Sequence, residues 1–325
     1  MRKDWKTQYP HLRNLISESI NRRTFIKKST FLGASTILGV SSAGWMQNLA
    51  LAKPKVDMAV VQGLDYYQST MKAVQMLGGM DEFVFRQSKV GLLINSPWLN
   101  PGCYTKPEIT LAVVRMCLDA GAKEVGVIKK LDDSYWRRSQ ISERFREERE
   151  SIRFMGGNFT EVSFPHGQVL KKAEIAKGML DCDVLINMPI AKHHDGVRFT
   201  GAVKNMMGGQ SRKTHRFFHF STGGSGYYDD IEFLTQCIAD LNLLRKPDLY
   251  IMDGTEMITE NGPFGPGRLV KHQKVIAGTD RVAMDVYGAN LLGLEGEEIL
   301  TTQKAYAYGM GEINLSSLHI QETTL

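Results

Sequence analysis

Between Ile186 and His219 the chain crowds together Lys192, His193, His194, Arg198, Thr200, Lys204, Asn205, Arg212, His215 and His219, so half of its eight histidines fall in one segment. Histidine moves protons near neutral pH or ligates a metal, while lysine and arginine neutralise an anion. This mixture fits an enzyme that acts on a small anionic, carboxylate-type substrate. Lys192, Lys204 and Arg212 hold the anion, Asn95 and Asn205 help to bind it, and His194 and His215 move protons. His215 and His219 stand four residues apart, on one face if the segment is helical, a spacing that can hold a divalent transition metal. Two acidic groups come later. Asp253 closes an apolar run and Glu260 lies in the loop Glu260-Asn261-Gly262-Pro263, where each could face the basic loop, orient a histidine or join a metal.

These groups need a scaffold to bring them together. Short apolar runs at 58–61, 90–95, 124–128, 184–187, 249–252 and 274–277 read as strands, several of them apolar without alternation, as strands buried on both faces are. Helical spacing separates them. Residues 107–120 open on Pro107 and stop at Gly121, and 229–244 and 280–292 follow the same pattern, with Asp280 placed to cap the last. The charged stretch 137–153 predicts a solvated helix on the rim. Alternating strand and helix predicts an α/β fold, an open, mostly parallel sheet with helices on both faces, Rossmann-like in build. The stretch Ile186–His219 begins at a strand end closed by Pro189, where such folds place their ligand crevice. The Gly-rich segments 207–211 and 221–226 match neither a P-loop nor a dinucleotide fingerprint and read as turns.

The charge balance locates a separate segment. Of 40 Lys and Arg and 35 Asp and Glu, residues 1–52 hold eight and two, leaving 32 against 33 for the remainder. The basic excess therefore belongs to the first 52 residues, and a nucleic-acid partner, which needs a basic face on the folded part, is not expected. Those residues have the layout of a twin-arginine (Tat) export leader. A polar stretch ends in Asn21-Arg22-Arg23-Thr24-Phe25-Ile26-Lys27, an apolar run broken by Ser and Thr follows, and Ala50-Leu51-Ala52 offers a cleavage site. The run falls short of the roughly 20 apolar residues that span a bilayer. The expected organisation is a leader at 1–52 and one α/β domain at 53–325. The Tat translocase is the partner during export, and the protein is periplasmic or exported, or membrane-tethered if the leader is kept. Cys103, Cys117, Cys182 and Cys237 are far apart without a Cys-x-x-Cys pair, and read as small buried hydrophobes.

Several ordered motifs carry a resemblance. They are Asn95 with Tyr104-Thr105-Lys106-Pro107-Glu108; Ala120-Gly121-Ala122-Lys123-Glu124-Val125; Asn187-Met188-Pro189-Ile190-Ala191-Lys192-His193-His194; and Thr200-Gly201-Ala202-Val203-Lys204-Asn205-Met206-Met207-Gly208. Asp253-Gly254 with Gly262-Pro263, and Asp280-Arg281-Val282-Ala283-Met284-Asp285, complete the series. In this order they resemble the domain-of-unknown-function 362 family across most of 56–295, and more distantly the amino-terminal domain of nickel-dependent lactate racemases. The resemblance implies an α/β fold rather than a particular reaction. Many members of the family carry a cysteine-rich segment for iron–sulfur clusters, and this chain has none. The family usually places a lysine just before the position of Asn95, where this chain has Leu93 and Ile94. Two further functions share the same residues: a metal- or cofactor-binding protein serving a redox partner, and a small-anion binder without chemistry.

Overall fold

The computed structural model describes residues 55–220 and 230–325. The expected twin-arginine leader at 1–52 and the Gly-rich stretch 221–226 lie outside the described residues. The strands are β1 (Met58–Gln62), β2 (Lys89–Ile94), β3 (Glu124–Val127), β4 (Arg153–Phe154), β5 (Phe159–Ser163), β6 (Lys172–Ala176), β7 (Val184–Met188), β8 (Lys192–His194), β9 (Arg198–Thr200), β10 (Leu249–Gly254), β11 (Met257–Ile258), β12 (Leu269–Val270), β13 (Lys274–Gly278) and β14 (Ile320–Thr324). The helices that bear on the site are α1 (Tyr66–Met76), α2 (Pro107–Asp119), α3 (Ala202–Asn205), α4 (Arg212–Phe220), α5 (Ile231–Leu241), α6 (Arg281–Leu291) and α7 (Leu300–Ala307).

Eight strands form one sheet in the order β14-β1-β13-β10-β7-β2-β3-β4. Only β13 runs against the others. The alternation within each strand explains the two covered faces. In β2, Val90, Leu92 and Ile94 join a core closed by α1 and α2. Leu93 points the other way, into the core built with α5 and α7. Met58, Val60, Tyr250, Met252 and Ile276 form a third cluster with α6. The sheet is thus mostly parallel with helices on both faces. The strands read from the sequence form, as do the helices at 107–120, 229–244 and 280–292, each within a few residues. Asp280 caps α6 by accepting from the amides of Val282 and Ala283.

The stretch 137–153 departs from expectation. Only Arg146–Ser151 is helical, and β4 follows at once as the edge strand. Ile141 and Phe145 pack against the core under α1, and Phe145 stacks on Tyr67 at 4.5 Å between ring centroids. Anchoring those two side chains breaks the run into turns, and Glu148 is buried rather than solvated. The short strands β4 and β14 and the hairpins β5–β6, β8–β9 and β11–β12 have no clear sequence signature. The strand order is informative about function. From β2 the chain moves outward to β3 and β4, then returns to the other side of β2 as β7 and β10. The β2–β7 junction is therefore a topological switch point, where open α/β sheets leave a crevice beyond the carboxyl ends of their strands.

Candidate anion-binding cleft at the switch point

A cleft opens at that junction, with about 740 Å³ of empty space counting its mouth. Its enclosed part is about 140 Å³, smaller than the roughly 300–1,000 Å³ of drug-sized ligand sites. Ile94 and Asn95 at the end of β2, Lys129 just past β3 and Lys192 just past β7 reach it from the sheet. Thr200, Lys204, Asn205, Met207 and Gly208 come from the hairpin and turns that follow. His215 and His219 come from α4, while Pro97, Trp98, Pro263 and Phe264 supply the mouth. Among the described residues no aspartate or glutamate lines the cleft, and three lysines share it.

Each basic group is placed by local chemistry. In β8 the alternation turns Lys192 and His194 to one face and His193 to the other. Lys192 is fully buried, and its ammonium donates to the carbonyls of Cys103 at 2.6 Å and Pro263 at 2.8 Å. Burial lowers its pKa to about 7, with the neighbouring Lys204 and Lys129 charges acting in the same direction. His194 accepts at Nδ1 from the amides of Gly196 and Val197, which puts its ring proton on Nε2. Burial and the nearby ammonium groups hold it well below the ordinary histidine range, so the ring is neutral at pH 7. His193 accepts from the amide of Gly262 and stands 3.6 Å from Asp195, away from the cleft.

Lys204 sits on the one-turn helix α3, whose start is held by a buried carboxylate. Asp285 accepts from the amides of Ala202 and Val203. Gly201 is required there, because a Cβ would collide with the Asp285 carboxylate and the Phe199 ring. Desolvation raises the Asp285 carboxyl to about 7 despite those two donors. Asn205 donates to the carbonyl of Leu93 at 2.9 Å and to Oδ1 of Asn187 at 2.7 Å, while Asn187 donates to the carbonyl of Ala202 at 2.9 Å. This amide chain ties β2, β7 and α3 together and so registers Lys204 against the strand ends. Lys204 is half-buried, with the thioether of Met207 at 3.8 Å as an acceptor. Burial, reinforced by Lys129, lowers it to about 8. Burial lowers Lys129 too.

Helix α4 brings the second pair of histidines. Ser211 caps it by accepting from the amide of Thr214, and also donates to Glu174 at 2.7 Å. His215 and His219 then share a face, with ring centroids 4.6 Å apart. Burial, and after it Lys204 and Lys129, lowers His215 to about 4. Among the described residues no three His, Cys, Asp or Glu side chains stand together as a metal-ligand set. Two imidazoles beside ammonium groups are poor donors for a divalent cation, which like charge repels. The residues do not fit a bare divalent metal. The four cysteines are free and buried.

The cleft thus gathers Asn95, Lys192, His194, Lys204, Asn205, His215 and His219, and leaves three other predicted residues outside it. Arg212 is exposed at the start of α4. Asp253 is fully buried and accepts from the amide of Lys106 at 2.8 Å and from the amide and hydroxyl of Thr255. It anchors the start of α2 rather than facing the lysines. Glu260 turns back across its own hairpin to accept from the amide of Arg268 at 3.2 Å. Lys129, Trp98 and Phe264 were not legible as site residues, although Lys129 follows directly on a strand, a position that could have marked it.

Two buried oxygens on residues that line the cleft, Asn95 Oδ1 and Thr200 Oγ1, have no hydrogen-bond partner among the described residues. Buried polar atoms are rarely left so. The arrangement can therefore hold an anion on ammonium groups, hydrogen-bond a second polar group, and present neutral imidazoles to it.

A cyanobacterial protein from Synechocystis sp., described as thylakoid-associated, is 29% identical over 245 residues, 70% of each chain. The lactate racemase apoprotein of Thermoanaerobacterium thermosaccharolyticum has a similar structure with a TM-score of 0.45 at 14% identity, over 73% of this chain and 57% of that one. A Thermotoga maritima protein gives a TM-score of 0.40 at 13% identity, over 73% of this chain and 58% of its own. The chain spans little more than half the length of these two solved structures. The model of the domain of unknown function DUF362 matches residues 90–290, most of the chain, and the protein belongs to that family.

Proposed function

We propose that the protein is an exported enzyme acting on a small carboxylate-type anion bound at the β2–β7 switch point. The observation that carries this is the cluster of Lys129, Lys192 and Lys204 in a cleft that no carboxylate lines among the described residues. Such a cluster is costly in an apolar setting unless an anion compensates it. Lys192 and Lys204 bind the acid head, and Thr200 donates its hydroxyl to the same group. Asn95 Oδ1 accepts from a donor on the substrate, such as a hydroxyl. His215, neutral at pH 7, accepts and returns a proton beside the bound acid, and His194 offers its Nε2–H as a hydrogen-bond donor.

Export follows from the leader at 1–52, whose Arg22-Arg23 pair is the signature read by the Tat translocase. In this reading changing both arginines to lysine retains the protein in the cytoplasm, which cell fractionation would show. Among the described residues no helix is long and apolar enough to cross a membrane.

Proton transfer is tested by incubating the purified full chain with a panel of small carboxylic acids in D2O. Nuclear magnetic resonance is expected to show exchange of a carbon-bound hydrogen next to the carboxylate of one acid. His215→Gln is expected to slow that exchange about 100-fold or more, in the range of a lost general base. Acids that bind without exchange would make the protein a binder and not an enzyme.

A further inference from the structure

The cleft has a second lining that anion binding does not use. Pro97 and Trp98 stand on the loop after β2, and Pro263 and Phe264 on the loop after β11, and together they form one side of the mouth. The Trp98 and Phe264 rings meet edge to face, 5.3 Å between centroids. Phe264 is 52% exposed, unusual for a large aromatic side chain packed against another. The two loops are fastened to each other, since Asn100 Nδ2 donates to the carbonyl of Phe264 at 2.7 Å. Lys192 fastens them again from below, because its two acceptors, Cys103 and Pro263, belong one to each loop.

The lysine that charges the floor is thus the lysine that holds the aromatic wall, and its Nζ lies 5.7 Å from the Trp98 ring centroid. A ligand seated on the ammonium group has a fixed aromatic surface only a few bonds from its acid head. A short acid such as glycolate fills the charged floor and leaves that surface in water. We infer that the substrate is an amphipathic acid, a carboxylate bearing an aromatic or similarly flat apolar body that packs against Trp98 and Phe264. This rests on the reading of the cleft as an anion site, and adds which anion it selects.

The test compares glycolate with 3-phenyllactate, two 2-hydroxy acids that differ by a benzyl group, by calorimetric titration of the full chain. 3-Phenyllactate is expected to bind at least about tenfold tighter, the scale of burying and stacking one ring. Trp98→Ala is expected to erase most of that preference, read as the ratio of the two affinities on the same variant, and Phe264→Ala is expected to act in the same direction from the other loop. Equal binding of the two acids, or a preference that survives both substitutions, would overturn the inference and leave the anion site standing. Failure of both acids to bind would overturn the inference and the anion site together.

Discussion

Lys204→Met is expected to weaken binding of a small carboxylate about 100-fold at pH 6.5, measured by calorimetric titration. At that pH the Lys204 and Lys192 amines are both charged, since their pKa values lie near 8 and 7. Removing one charged partner from a desolvated ion contact costs about 2–5 kcal/mol, which sets the size of the effect. The substitution suits the purpose because Met207 Sδ is the acceptor described for Lys204, so little native bonding is lost. Lys192 is a poorer choice, since its loss would orphan the Cys103 and Pro263 carbonyls and confound binding with folding. The same pKa values give the pH dependence its sign. Anion affinity is highest below pH 7 and falls as the pH rises through 7 to 8, while the two amines lose their protons.

Asp285→Ala is expected to cost about 2–4 kcal/mol in denaturant-induced unfolding, because it strands the buried amides of Ala202 and Val203. It should also weaken carboxylate binding, although Asp285 does not line the cleft, because α3 carries Lys204 and Asn205. Asp285→Asn keeps an acceptor and is expected to be mild. The two side chains differ in how they respond to pH. A carboxyl whose folded pKa is raised to about 7 contributes stability that is fully present below its unfolded value near 3.9 and is lost as pH rises through 7. Asp285→Asn is therefore expected to gain on the natural protein between pH 4 and 8. A constant difference over that window would show that Asp285 does not titrate as its burial implies.

The sheet was readable because its inner strands are apolar on both faces, so β2, β7 and β10 stand out without alternation. The edge strands β4 and β14 and the small hairpins are short and half-exposed, and carry no such contrast. Within the site, what could be read was what the chain keeps close together. Lys192, His194, Lys204 and His215 fall in one segment, and the fold leaves them in one cleft. Residues brought in from a distance were harder to place. Lys129 resembles any solvated lysine until β3 sets it beside β2. Trp98 and Phe264, 166 positions apart in sequence, meet only because Lys192 and Asn100 tie their loops. Asp253 misled for a similar reason. A carboxylate at a strand end looks available, yet the start of α2 lies within 2.8 Å of it and takes it. The charged run 137–153 was misjudged because two apolar residues, Ile141 and Phe145, outweigh its many charges in deciding where it packs.

The most direct measurement is calorimetric titration of glycolate into the full chain at pH 8, repeated in two buffers of different ionisation enthalpy. At that pH Lys204 is about half protonated and Lys192 largely neutral. A bound carboxylate raises both pKa values, so binding is expected to draw protons from the buffer, and Lys204→Met is expected to remove most of that uptake along with the affinity. Glycolate binding with no proton uptake, or uptake unchanged by Lys204→Met, would contradict an anion seated on the lysines of the switch-point cleft.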